Sequence, residues 1–468
     1  MTIPLKSRLL PSAFPALAAL AALALPNGAH AKSGDLPTLQ AAIGDPDDFK
    51  LSGSTRLRYE ALGGQARAGF GESEDLVSLR TILTAEYRTG NVRAGAEMYD
   101  SRVFGIEPGS VVSTNEVNAF ELVQAYVAVS FPDALGKGSK SSLQFGRMML
   151  NLGSRRLVAA DEYRNTTNGY TGIRADTSLA NGFGATAFYT LPQSRLPEDL
   201  ASIRRAKVQI DRENFDLQLW GGYVTKSRAI GRTMAEIGYV GLAEKDAPGR
   251  PTRDRRLQSL SGRLIADPKA GLWDYEVEGI YQFGTVSSAT IANAPTLDVS
   301  AYFLHADAGY SFPSKWKVHL SVEYDLASGD GPGGRYGRFD TLFGMRRADL
   351  SPAGIYSQIG RSNISAPGIR LEVTPSARLD SFVTYKGLWL ANRFDSFATT
   401  GVRDTSGASG NFAGQQFDTR LRWWVVPKGL RAELTGTWLI KGRFLRYAPN
   451  APATGNVRYA AVALTANF

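Results

Sequence analysis

The sequence predicts an all-β fold: a transmembrane antiparallel β-barrel of eighteen strands. Three observations predict it. Long tracts alternate apolar and polar residues with a period of two. Beyond the first 31 residues, no stretch reaches the roughly 18 consecutive apolar residues of a spanning helix. The chain closes on Phe468, with Ala460, Val462, Leu464 and Ala466 on its face and Ala461, Ala463, Thr465 and Asn467 on the other. In lipid every backbone N–H and C=O must be satisfied internally, so without helices the remaining solution is a closed barrel.

Residues 1–31 read as a signal peptide. Lys6 and Arg8 form its charged start, Leu9 to Leu25 is rich in Ala and Leu, and Ala29-His30-Ala31 is an A-x-A cleavage site. Pro11, Pro15 and Pro26 argue against a retained anchor. Removing the leader takes away Lys6 and Arg8 and no acid, which lowers the net charge from +9 to +7. Residues 32–48 are polar and read as a periplasmic N-terminal segment with a short helix around Leu36 to Ile43. The barrel is expected over 49–468. With no cysteine, the chain has neither disulfides nor thiol chemistry, which fits an oxidising compartment.

From Phe49 the period is two. Leu51, Thr55, Leu57 and Tyr59 oppose Lys50, Ser52, Ser54, Arg56, Arg58 and Glu60. Trp273, Tyr275, Val277, Tyr281 and Phe283 oppose Asp274, Glu276, Glu278 and Gln282. Trp316, Val318, Leu320, Val322, Tyr324 and Leu326 oppose Lys317, His319, Ser321, Glu323 and Asp325. Phe417, Leu421, Trp423 and Val425 oppose Asp418, Arg420 and Arg422. Aromatics at strand ends and charges along the other face suit lipid outside and water inside.

Eight short polar connections set the strand count: Thr89–Asn91, Pro132–Ser141, Leu179–Gly182, Asp211–Asn214, Asp267–Gly271, Pro313–Lys315, Pro375–Ala377 and Pro427–Gly429. Barrels of this kind have short periplasmic turns and long outer loops. Phe215 to Ala243 reads as one long strand kinked near Ser227 to Gly231. Eight turns and nine loops then join eighteen strands, wide enough for an aqueous channel. The longest loop, about 327–367, is expected to be extracellular. It is Gly-rich and carries Arg335, Arg338, Arg346, Arg347 and Arg361. Residues 287–298 and 398–415 read as solvated loops.

By strand parity the inward cations are Arg56, Arg58, Arg80, Arg93, Arg174, Arg370, Lys386, Arg420, Arg422 and Lys441. Inward acids are Glu60, Glu86, Glu97, Glu276, Glu278, Glu323, Glu372 and Asp418. A single lumen arginine more often pairs across strands than meets a substrate. As a set, the net positive balance favours an anion path, because rings of Arg or Lys filter anions and the planar guanidinium takes a carboxylate bidentately.

Other chemistries fit poorly. Past the leader the only histidines are His305 and His319. His319 stands beside Ser321, but by parity both face the lumen among Lys317 and Glu323, where a lumen-lining polar residue is the better reading than a nucleophilic site, and no catalytic residue is expected. No Cys/His cluster offers a metal site. Ser328-Gly329-Asp330-Gly331 lacks the spaced ligands of a calcium loop and reads as a turn. No cofactor is expected. No basic run interleaves with aromatics, so nucleic acid is not a partner.

Several segments resemble the alginate-export family of outer-membrane porins: ASGDGPGGRYGRFDTLFG and GIYSQIGRSNISAPGIRLEV within 327–373, FGRMMLNLGSRRLV at 145–158, YEVEGIYQFG at 275–284, and Lys441-Gly442-Arg443-Phe444-Leu445. They run in order along most of the chain. The resemblance implies an eighteen-stranded barrel in the bacterial outer membrane that passes an anionic polysaccharide through an arginine-lined constriction. It adds Arg147, Arg155, Arg156, Arg361 and Arg443 to the substrate path. Alternation with Leu143 and Phe145 turns Arg147 outward, whereas a bulge would turn it inward. Where family members carry an acidic-aromatic-Gly segment, this chain has Asn168-Gly169-Tyr170-Thr171-Gly172. The expected partners are an anionic polysaccharide or oligosaccharide, outer-membrane lipid, the barrel-insertion machinery and periplasmic export proteins. Export of an alginate-like polymer and uptake of small anions or oligosaccharides both stay open, with a membrane-embedded hydrolase as a third class.

Overall fold

The computed structural model describes residues 36–246, 250–345 and 349–468. The leader at 1–31, the start of the 32–48 segment, Arg346 and Arg347 lie outside these residues. The wall begins with β1 (Phe49–Gly63), β2 (Ser73–Thr89), β3 (Val92–Phe104), β4 (Asn118–Pro132), β5 (Lys140–Met148) and β6 (Tyr170–Ser178). It continues with β7 (Phe183–Pro192), β8 (Leu217–Ile230), β9 (Thr233–Glu244), β10 (Arg256–Ala266), β11 (Trp273–Ser287) and β12 (Thr296–Ser311). β13 (His319–Ala327), β15 (Ile364–Ser376), β16 (Leu379–Trp389), β17 (Phe412–Val426), β18 (Leu430–Lys441) and β19 (Val457–Asn467) complete it. β19 pairs antiparallel with β1, Arg58 opposite Ala463, and closes the ring. The short β14 (Arg335–Tyr336) lies parallel to β12 inside a loop. Of the 19 strands in the sheet, the other eighteen form the barrel.

The expected faces hold. Trp273, Tyr275, Val277 and Tyr281 are exposed on the outer surface of β11, while Asp274, Glu278 and Gln282 are buried inside. Tyr59, Leu421 and Trp423 are likewise exposed, and Arg56, Arg58 and Glu60 are buried.

The strand count of eighteen is met, but by a different route around residues 211–243. Asp211–Asn214 is not a turn. It belongs to the loop between β7 and β8, which contains helix α2 (Leu200–Arg204). The buried Asp211 carboxylate accepts from Leu196 N (2.9 Å) and Asn118 Nδ2 (2.8 Å) and so docks that loop on β4. The expected kink is the turn: Ile230 pairs with Thr233 across Gly231 and Arg232, and Gly231 takes a positive φ of 59°. Two errors therefore cancel. The strand expected to start at Trp316 begins at His319.

Helix α1 (Leu39–Ala42) falls within the expected helical stretch. Its Gln40 side chain accepts from Leu51 N (2.8 Å) and donates to Phe49 O (3.0 Å), which fixes the helix beside the start of β1.

The interior departs most from expectation. Rather than a wholly polar lumen, two loops fold into the barrel and carry apolar side chains with them. One is 149–169, between β5 and β6; the other is 328–363, between β13 and β15 and expected as an extracellular excursion. Leu150, Val158, Phe339, Ile355, Tyr356 and Ile359 on these loops are buried and form one cluster with the inward Leu219, Leu242, Ile280 and Phe303 of the wall. The loops also pair with each other: Met345 N donates to Arg155 O (3.1 Å), Phe343 N to Leu157 O (3.0 Å) and Ala159 N to Phe343 O (3.2 Å). The expected solvated loop at 398–415 is not wholly solvated either: Val402 is fully buried, and its last residues, from Phe412, already belong to β17.

At the closure, Phe468 N donates to Gly53 O (3.0 Å) and Gly53 N to Phe468 O (2.8 Å). The Phe468 ring covers Gly53, where an added Cβ would collide with it. This is the aromatic cover over a strand glycine used to pin register. Gly53→Leu is expected to reduce the yield of folded, heat-modifiable barrel, as is deletion of Phe468. Overpacking of this kind costs about 1–3 kcal/mol, and it falls on the strand pair that completes the ring. Unchanged outer-membrane levels for both variants would count against this role.

Candidate functional site

Between the inserted loops and the wall lies a cavity of about 320 Å³ lined by Arg56, Arg58, Arg155, Arg370, Arg420, Arg422 and Arg431. Its only acidic lining residues are Glu162 and Glu433. Seven guanidiniums against two carboxylates leave a formal charge of +5. The arginines come from alternate positions of β1, β15, β17 and β18, all on the inner face, and from the 149–169 loop, so the strand period itself brings them together.

Their partners differ. Arg420 and Arg422 share Asp380, at 3.2 and 3.0 Å. Arg370 pairs with Glu372 (2.6 Å) and lies over the Phe382 ring at 3.9 Å. Arg155 stands 3.5 Å from Glu162. Arg431 has no ion pair among the described residues; its guanidinium lies 5.5 Å from the Trp424 ring, and its Nε is buried without an acceptor. Arg56, Arg58 and Arg80 hold backbone oxygens of the inserted loop: Arg56 reaches Arg164 O at 2.8 Å, Arg58 Tyr163 O at 2.7 Å and Arg80 Glu162 O at 3.0 Å, and Arg58 also stands 3.9 Å from the Glu60 carboxylate. A carbonyl satisfies the N–H without cancelling the charge.

The remaining expected cations are spread through the barrel. Arg156 pairs with Glu278 (2.5 Å), Glu276 and Asp349 (3.0 Å). Arg361 is fully buried, donating to Asp349 and to Met345 O (2.5 Å). Burial raises the Asp349 carboxyl, but Arg156 and Arg361 outweigh it and hold the group well below the usual carboxylate range. Lys386 is buried on Asp325 (2.8 Å), Arg174 pairs with Asp176 (2.7 Å) and Arg93 with Glu86 (3.6 Å). Lys441 donates to Thr454 Oγ1 (2.5 Å). Arg147 clamps Glu121 (2.6 Å) to Glu213 (2.8 Å) of the β7–β8 loop. Arg443 starts the exposed face of helix α3 (Arg443–Tyr447) at the long-loop end.

A second cavity of about 290 Å³ lies against β10, β11, β12 and β13 and is lined by Asp274, Glu276, Asp307, Glu323, Asp349 and Glu372 with Arg156, Arg263 and Arg370. His319 is there, 2.9 Å from Asp274 and 3.7 Å from Glu372. The lumen is thus basic on one side and acid-rich on the other.

Parity would have found Arg431 and Glu433, which alternate with Thr435, Thr437 and Lys441 on β18, and Arg263 on β10. Asn168, at the departure from the family pattern, donates to Ala159 O (2.8 Å) and Phe343 O (3.1 Å) and so ties the two inserted loops.

The family model for alginate export matches residues 49–458. No curated protein matches the sequence. Among solved structures, OccK2 (OpdF) of Pseudomonas aeruginosa in complex with glucuronate is similar at 12% identity and a TM-score of 0.55, over 90% of this chain and 96% of that one. A BenF-like porin from Pseudomonas fluorescens Pf-5 aligns at 11% identity and a TM-score of 0.58, over 90% and 99%. Acinetobacter baumannii OccAB1 aligns at 12% and 0.57, over 92% and 99%. At such identities these structures speak for the fold alone. The closed eighteen-strand wall and the family match over most of its length agree: the chain belongs to the alginate-export family and is a channel of the bacterial outer membrane.

Proposed function

We propose that the channel passes an acidic polysaccharide or its oligomers, in the export direction that the family description suggests. The observation that carries this reading is the cavity in which seven arginines face two glutamates. A polyuronate presents one carboxylate per sugar, and guanidiniums spaced along the wall can hand it on without one deep trap. At an effective dielectric near 20, a charge at 4 Å is worth about 4 kcal/mol, against about 1 kcal/mol in water. On this reading the lining discriminates by charge. The glucuronate in OccK2 is a uronate on a shared fold and is consistent with this chemistry.

Uptake of short acidic oligosaccharides is the second reading, favoured by the two loops that fold into the barrel against its wall. Oligouronates should block current through the reconstituted channel at 0.1 M salt, while neutral oligosaccharides of equal length should not. The Debye length shrinks from about 10 Å to about 3 Å between 0.1 and 1 M salt, so the block should fade at 1 M. Equal block by neutral and acidic sugars would overturn the polyanion reading. Block that ceases beyond a few sugars would favour uptake.

A further inference from the structure

The arginines of the basic wall divide into two classes by what they hold. Arg56 donates to three successive carbonyls of the inserted loop, those of Glu162, Tyr163 and Arg164 (3.3, 3.3 and 2.8 Å). Arg80 takes the first and third of them, at 3.0 and 3.1 Å. Arg58 takes the second and lies 4.3 Å from the centre of the Tyr163 ring. That ring is held from its other end, since the Tyr163 hydroxyl is 3.0 Å from the Tyr459 hydroxyl, which donates to Glu60 (2.8 Å). Next along the chain, Asn165 Nδ2 donates to Glu116 O (2.9 Å), and Ser101 Oγ donates to Asn165 O (2.7 Å). The carbonyls of 162–164 thus face the wall, and the mostly exposed Glu162 side chain reaches the cavity.

We propose that Arg56, Arg58 and Arg80 are positioning residues. They pin segment 162–164 and so set the width of the passage at the arginine-lined cavity, while Arg420, Arg422 and Arg431 meet the passing anion. The proposal rests on the anion-channel reading, but it concerns which arginines do which task. A guanidinium fork suits the pinning, because one planar group can bind several adjacent carbonyls at once. A lysine keeps the charge and loses the fork.

Single-channel recording separates the two classes. The triple variant Arg56→Lys, Arg58→Lys, Arg80→Lys should show raised open-channel noise and a shift of conductance to higher values, with the sign of the reversal potential kept. The triple variant Arg420→Ala, Arg422→Ala, Arg431→Ala should shift the reversal potential toward zero without added noise. If the lysine triple does not assemble, Arg80→Lys alone gives the same readout. Unchanged noise and conductance in an assembled lysine variant would overturn the proposal. A cation-selective wild type would instead overturn the anion reading and leave the pinning result standing.

Discussion

Asp349→Ala is expected to enlarge the open channel and lower the barrel's thermal stability, the largest effect foreseen for a single substitution. Asp349 sits where both inserted loops meet. Its carboxylate binds Arg361 of its own loop and Arg156 of the other, and Arg156 also binds Glu276 and Glu278 on the wall. Arg156 and Arg361 are at most 4% exposed. Removing one partner of a buried pair leaves an uncompensated charge and costs about 3–5 kcal/mol. Arg156 keeps two wall glutamates, so the loss falls chiefly on Arg361 and on the 328–363 loop. Conductance in planar bilayers and the melting temperature of purified barrel check this, and wild-type values for both would contradict it. The pH dependence has a definite sign. A carboxyl held below its unfolded value stabilises the fold above that value, near 3.8, and the contribution is lost as pH falls toward the folded value. The wild-type latch should therefore persist in mild acid and loosen only in strong acid.

Replacing Arg420, Arg422 and Arg431 together by alanine should abolish most of the anion preference while leaving assembly intact. Lumen substitutions in barrels tune selectivity more than stability. The formal charge of the cavity lining falls from +5 to +2, and Asp380 is released from the two arginines it bridges. Each charge lost reduces the penalty on a cation by about 1 kcal/mol or more at lumen dielectrics. A triple variant with wild-type selectivity would move the selecting charge elsewhere in the barrel.

Much of the wall was legible because a β-strand with lipid on one side and water on the other writes its faces directly into the sequence. Tyr59 against Arg58, or Tyr275 against Glu276, needs no tertiary information. The turn at Gly231 was hidden among Gly221, Gly222, Gly238 and Gly241, while Asp211–Asn214 has turn composition but uses its carboxylate as a buried anchor. Composition cannot tell a polar run that caps a loop from one that faces water. The inward fold of 328–363 was harder still. Ile355, Tyr356 and Ile359 have no period of two, and what buries them is a cluster drawn from both inserted loops and the wall.

Parity placed Arg56, Arg58 and Arg80 on the inner face, but their acceptors lie 82 to 109 residues away in sequence. Whether such an arginine meets a carboxylate, a carbonyl or a passing ion is decided by the inserted loop. The same holds for Arg361, expected on the substrate path and found fully buried on Asp349.

The most direct measurement is the zero-current potential of the wild-type channel in a KCl gradient across a planar bilayer. The arginine-rich cavity predicts a sign that reports Cl⁻ permeating faster than K⁺ at low salt, with the preference shrinking as ionic strength rises. A potential of the opposite sign would show that the lumen carboxylates outweigh the arginines, and would contradict the passage of a polyanion through this barrel.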